Sequence, residues 1–253
     1  MSATYFHPLV YALFAAGFIW LMTCLGAGTV FFLREVSAPA QRGIFGLTAG
    51  IMLAACYWSL LEPAIAMAQQ RHGPAWLTAA AGVSTGVAFL MAIDALSRRK
   101  SRRQPSAASL LLLSVTLHNV PEGLAVGVAF GVLSEASSPA AFAAAFSVAL
   151  GIGIQNIPEG TAVSLPMRKS GYSTKKSFFL GVLSGGVEPL AALTGATLVV
   201  LTDAVLPFAL AFSAGAMLYV VWQEMLPQAT GRPGLLWTAV GFVLMMSLDV
   251  ALG

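Results

Sequence analysis

The sequence predicts an all-α integral membrane protein of eight transmembrane helices. Three observations predict it. Of 253 residues, 58% are hydrophobic and only 9% charged, whereas a soluble domain carries about 25% charged residues. The apolar residues fall into eight runs, each close to the ~20 residues that carry a helix across a bilayer core. Lys and Arg concentrate in alternate connections, the pattern left by a chain that crosses a membrane repeatedly. Almost nothing remains for a soluble domain, so residues 1–253 read as a single transmembrane domain.

The runs are taken in order. The first, about 9–33, has no Lys or Arg before it, so it lacks the charged start of a cleaved signal peptide and stands as span one. The others cover about 43–67, 75–96, 107–133, 140–165, 177–201, 205–227 and 234–252, with short connections containing Pro, Gly, Ser or charge. Connections one-two, three-four, five-six and seven-eight hold Arg34, Arg42, Arg98, Arg99, Lys100, Arg102, Arg103, Arg168, Lys169, Lys175, Lys176 and Arg232, twelve of the thirteen basic residues; Arg71 is on the alternate side. Positive charge stays cytoplasmic. Both termini are therefore expected outside a cytoplasmic (inner) membrane. Losing one span would mix the two sets of loops.

The run RRKSRR at 98–103 resembles a nucleic-acid or acidic-lipid patch, but between two spans it reads as a topogenic loop. No nucleic-acid partner is expected. Cys24 and Cys56 lie in apolar runs without CxxC spacing and read as packed thiols.

The chemistry lies in a repeated pattern. His118-Asn119-Val120-Pro121-Glu122-Gly123 in span four recurs as Gln155-Asn156-Ile157-Pro158-Glu159-Gly160 in span five. His118 and Asn119 precede Glu122 by four and three residues, so all three share one helix face. Gln155, Asn156 and Glu159 repeat that geometry. Each proline lacks the N–H that would bond four residues back, which frees the carbonyls of Leu117 and Ile154. Gly123 and Gly160 let neighbouring helices approach closely. Ionisable groups within a span are costly and mark function. Carboxylate, imidazole and amide oxygen together suit a divalent metal ion. One NxPEG alone reads equally well as a kink with a packed Glu, since buried acids also serve structural networks; the duplication on consecutive spans favours a site.

Other intramembrane polar residues are graded against blander readings. Glu188 in span six follows Gly185 and Gly186 and precedes Pro189; an acid at that depth is a site candidate. Met52 and Ser59 share one face of span two, although Met alone is usually a core filler. Glu62, near the outer end of span two, and Gln223 with Glu224, near the inner end of span seven, read as gate or interfacial groups. Asp94 reads as a local partner of Arg98. Asp203 reads as a loop residue, and His7 and His72 as solvated. Asp249, in span eight, has no assigned role.

At these residues the chain resembles the ZIP family, the Zrt- and Irt-like divalent metal transporters, with Gln heading the second motif as in its bacterial branch. The resemblance covers the whole length. It implies a 3+2+3 bundle in which spans one to three and six to eight are inverted repeats flanking spans four and five. It implies uptake of Zn²⁺, Fe²⁺, Mn²⁺ or Cd²⁺ into the cytoplasm. It implies a primary metal site of His118, Glu122, Gln155 and Glu159 completed by Met52, and a second site of Asn119, Asn156, Glu122, Glu159 and Glu188. Ser59, Gln223 and Glu224 match pathway positions. Asn156 departs from the pattern, since similar members carry Asp there; a neutral amide weakens the second site.

The function expected is therefore zinc transport by alternating access at a midplane site. No ATP-binding loop is visible and no cofactor is expected beyond the transported ion. The partners expected are that ion and lipid, and a homodimer is left open. An intramembrane zinc hydrolase usually draws two His from HExxH, which is missing here. A secondary transporter of an organic substrate would turn Arg or half-helix N-termini at mid-span toward an anionic group, and no Arg lies there.

Overall fold

The computed structural model describes residues 6–33, 37–71, 74–100, 107–134, 137–201 and 205–252. Within these, the side chains of 6–7, 97–100, 107–111, 113–114, 117–118, 200–201 and 252 are not described. Eight long helices run through the chain: α1 (Phe6–Gly28), α2 (Ala38–Gln70), α3 (Ala75–Lys100), α4 (Ala107–Gly131), α5 (Pro139–Lys169), α6 in two pieces (Thr174–Gly185 and Glu188–Leu201), α7 (Leu206–Gln228) and α8 (Gly231–Leu252). They match the eight apolar runs to within a few residues. All but α4 are, among the described residues, long and apolar enough to cross a membrane; α4, with 25 residues, has the length as well. Their outer faces carry Phe14, Leu21, Trp76, Leu190, Leu235 and Val250, all exposed, as side chains turned to lipid would be.

Three local features escaped the sequence. Span two opens into a π turn at Cys56–Leu61 and span seven at Val221–Met225. Each π turn precedes a proline, Pro63 or Pro227, and each contains or adjoins a Trp five residues earlier, Trp58 or Trp222. A proline ring crowds the carbonyl four residues back, and a widened turn absorbs that clash. Span six breaks at Gly186, whose N–H bonds back to the Leu183 carbonyl, so Glu188 opens the first turn of the second piece. Pro121 and Pro158, by contrast, lie inside unbroken helices.

The helices pair most extensively as α2 with α8, α1 with α5, α3 with α7, and α4 with α6. Further contacts join α1 to α4 and α6, and the C-terminal half of α2 to α3 and α7. Two groups result, α1/α4/α5/α6 and α2/α3/α7/α8, which meet where α5 packs on α2 and α8 and α4 packs on α7. The α4–α6 seam is built from small residues. A Cβ on Gly123, Gly127 or Gly131 would strike the backbone of Glu188, Ala192 or Ala196 respectively. A strip of glycines every fourth residue lets the two backbones touch, and this contact fixes Glu188 beside the first motif. Gly160 does the same for α5 against Thr23 and Ala27 of α1. At the basic end of the molecule, the Arg168 guanidinium donates to the Val30 carbonyl (2.7 Å) and ties α5 to the turn that follows α1.

Candidate metal site

Both motifs meet in the buried middle of the α1/α4/α5/α6 group. Asn119, Glu122, Gln155, Asn156 and Glu188 have no exposed surface, and Glu159 has 3%. Burying so much polar surface is costly unless each group finds a partner. The nitrogens do. Asn119 Nδ2 donates to the Ser184 carbonyl (2.8 Å). Asn156 Nδ2 donates to the Ile19 carbonyl (3.1 Å) and to Glu188 Oε1 (3.0 Å). Gln155 Nε2 donates to Glu122 Oε1. Asn119 and Asn156 each face a backbone carbonyl, which cannot donate, so the orientation of these two amides is forced.

The oxygens do not. Asn119 Oδ1, Glu122 Oε2, Gln155 Oε1, Asn156 Oδ1, both Glu159 oxygens and Glu188 Oε2 have no hydrogen-bond partner among the described residues. An unpaired buried acceptor costs about 1–3 kcal/mol, so a fold that keeps several together has a use for them. Every amide has turned its donors into the protein and its lone pairs the other way. Such a surface accepts a cation and repels an anion.

Among the described residues no three His, Cys, Asp or Glu side chains already stand together as a metal-holding group. What the fold brings together is carboxylates interleaved with amides. Met52 is fully buried in the same core as Val126, Val148 and Ile152, which lie near the motif residues on α4 and α5. The side chain of His118 lies outside the described residues, as do those of His7, His72, Arg34, Asp203 and the run 98–103.

A profile of the ZIP zinc transporter family matches residues 94–249. The zinc transporter ZIP11 of Homo sapiens is 38% identical, with 98% of this chain and 99% of that protein covered. The zinc transporter GufA of Myxococcus xanthus is 41% identical over 91% of this chain and 94% of its own. The zinc transporter ZIPB of Bordetella bronchiseptica is 36% identical over 94% and 80%. The chain belongs to the ZIP zinc transporter family. These relatives are named as transporters and not as enzymes, in vertebrates and bacteria alike, and this ZIP chain is a multi-pass membrane protein.

A second polar cluster of this ZIP protein lies about 12 Å along α5 from Gln155, eight residues at 1.5 Å each. A cavity of about 530 Å³ there is lined by Ser59, Glu62, Ser147 and Asp249 among apolar residues such as Trp58 and Leu133. Asp249 Oδ1 accepts from Ser59 Oγ (2.9 Å) and from Ser147 Oγ (3.3 Å), while Oδ2 has no partner among the described residues. Asp249 is 7% exposed. The structure thus joins Ser59 and Glu62, singled out in the sequence, to an acid with no assigned role. Gln223 is exposed and Glu224 half-buried, near the C-terminal end of α7.

Three participants were missed. Thr23 of α1 places its hydroxyl 3.3 Å from Glu188 Oε1; nothing in the sequence distinguished it from other span threonines. Ser147 gave no signal either. Asp249 did, as an acid in a span. Asp94 accepts from the Tyr219 hydroxyl of α7 (3.2 Å); its expected pairing with Arg98 falls on a side chain outside the described residues. One expectation shifts. Of the cysteines, Cys56 is packed, with Sγ 3.7 Å from the Ala214 carbonyl, but Cys24 is only partly buried.

Proposed function

We propose that this protein takes divalent metal ions, zinc foremost, across the cytoplasmic membrane into the cytoplasm. The observation that carries the reading is the buried set of amides whose nitrogens are all bound by protein and whose oxygens, with both of Glu159 and one each of Glu122 and Glu188, have no hydrogen-bond partner among the described residues. Glu122, Gln155 and Glu159 with His118 and Met52 form the primary site, and Asn119, Asn156 and Glu188 extend it into a weaker second one. Mixed nitrogen, oxygen and thioether donors tolerate zinc, iron, manganese and cadmium. The ion arrives through the cavity at Asp249, Ser59 and Glu62 and leaves past Gln223 and Glu224. No cofactor takes part.

Transport proceeds by alternating access, with α1/α4/α5/α6 moving against α2/α3/α7/α8 in one transmembrane domain. The concentration of the motif acids in the first group supports this division. The π turns on spans two and seven, each before a proline, support an inverted-repeat relation between spans one to three and six to eight.

Purified protein in proteoliposomes tests the reading. Zinc uptake should be saturable and competed by cadmium, iron or manganese. Apparent affinity should fall on acidification, because protons compete for the same oxygens and imidazole. Absence of flux for all four ions would overturn the proposal.

Orientation follows from the twelve-to-one split of basic residues. A cysteine replacing Ser170, in the loop after α5, is expected to react only with reagent on the cytoplasmic side, and one replacing Ser137 only from outside. Reaction of both from one side would refute the topology.

A further inference from the structure

The Ser147–Asp249 hydrogen bond runs between the two helix groups. Ser147 is on α5, the helix that carries the second motif; Asp249 is on α8, and it is held from its own group by Ser59 of α2. The other inter-helix hydrogen bonds described above stay within one group: Thr23, Asn119 and Asn156 bond inside α1/α4/α5/α6, and Tyr219, Cys56 and Ser59 inside α2/α3/α7/α8. If the groups slide past each other, this bond must break.

The chemistry makes it easy to break. Ser147 Oγ lies 3.0 Å from the carbonyl of Ala144 on its own helix as well as 3.3 Å from Asp249 Oδ1. A hydroxyl has one proton and rotates freely to suit its acceptors, and a serine in a helix regularly bonds back to the preceding turn. On separation the proton returns to Ala144, and no buried donor is left unpaired. Asp249 keeps Ser59 throughout. Ser147 itself is 2% exposed, at the edge of the cavity.

We propose that Ser147 is a positioning residue, a releasable latch. Through Asp249 it holds the motif-bearing helices against the other group in the arrangement seen here, with the Asp249 cavity open, and lets go as they move. This rests on the alternating-access reading above.

The test is accessibility of the cavity. Ala129 lines it from α4 and is partly buried. In a chain with Cys24 and Cys56 replaced by alanine, Ala129→Cys reports the open arrangement through its rate of reaction with a membrane-impermeant maleimide. A hydrogen bond to a charged acceptor shifts an equilibrium by about tenfold or more. Adding Ser147→Ala should therefore slow labelling at least about threefold, and Ser147→Thr, which keeps the hydroxyl, should restore it. Alanine suits a helix, so folding is not at issue. Labelling unchanged in Ser147→Ala overturns the latch, and so does equal slowing in Ser147→Ala and Ser147→Thr, which would mean packing rather than the hydroxyl. Zinc uptake by the wild type, measured separately, decides the transport reading whatever the labelling shows.

Discussion

Alanine in place of Glu159 is expected to abolish metal uptake, at least a hundredfold, and to leave the protein folded. Both Glu159 oxygens are buried without a hydrogen-bond partner among the described residues, so removing them strands no neighbour. A structural acid would behave in the opposite way, since breaking a buried hydrogen-bonded group leaves an unpaired partner at about 1–3 kcal/mol. Glu122→Ala should abolish uptake equally but cost more stability, because Gln155 Nε2 loses its acceptor. Glu159→Gln keeps the volume and removes only the charge, and is expected to be as inactive as Glu159→Ala. Uptake in proteoliposomes, read beside thermal melting and size-exclusion profiles, checks all three. Wild-type transport by either alanine variant would end the assignment of the motif glutamates to the ion.

Asn156→Asp is expected to convert a protein that holds one tightly bound ion into one that holds two. Two divalent ions sharing Glu122 and Glu159 repel each other, and the second is retained only if negative charge is added beside it. Asn156 supplies none. Its amide nitrogen is occupied by the Ile19 carbonyl and by Glu188 Oε1, which leaves only the Oδ1 dipole for an ion. Aspartate cannot donate, so the substitution removes both of these hydrogen bonds and sets a carboxylate against Glu188. The variant should melt lower than the wild type without metal and regain the loss in zinc, a larger metal-dependent shift than the wild type shows, because an ion that binds only the folded state stabilises it. Transport should slow, since an ion held more tightly leaves less readily. Equilibrium binding counts the ions. Two ions of similar affinity in the wild type, unchanged in Asn156→Asp, would show that this position does not set occupancy.

Much of this was legible in the sequence because a bilayer imposes a strict code. With no water in the hydrocarbon, every span must be an apolar helix of a given length, and so eight runs read from composition returned as eight long helices. The same strictness makes polar residues conspicuous, which is why Glu122, Glu159 and Glu188 could be named before any contact was known. The π turns were not legible. Pro63 and Pro227 announce a disturbance, but whether a helix kinks, breaks or widens depends on what packs around it; Pro121 and Pro158 leave their helices unbroken. Thr23 and Ser147 were invisible because a hydroxyl that bonds back to its own helix carries no burial penalty and so no signal.

The sequence by itself determined the eight long apolar segments, the uneven sharing of basic residues among their connections, and the doubled motif with its face of carboxylates and amides. Those follow from local rules of hydropathy, charge and helical spacing. Only the tertiary structure decided which way each amide turns, that Asn156 binds Glu188, that the glycine strip of α4 seats α6 beside the motif, and that Asp249 links α8 to α2 and α5. These depend on which helix lies against which, among residues separated by up to 190 positions in the chain. In a membrane that choice rests on close backbone contact between small residues and on scattered polar pairs. No short window of sequence contains both partners.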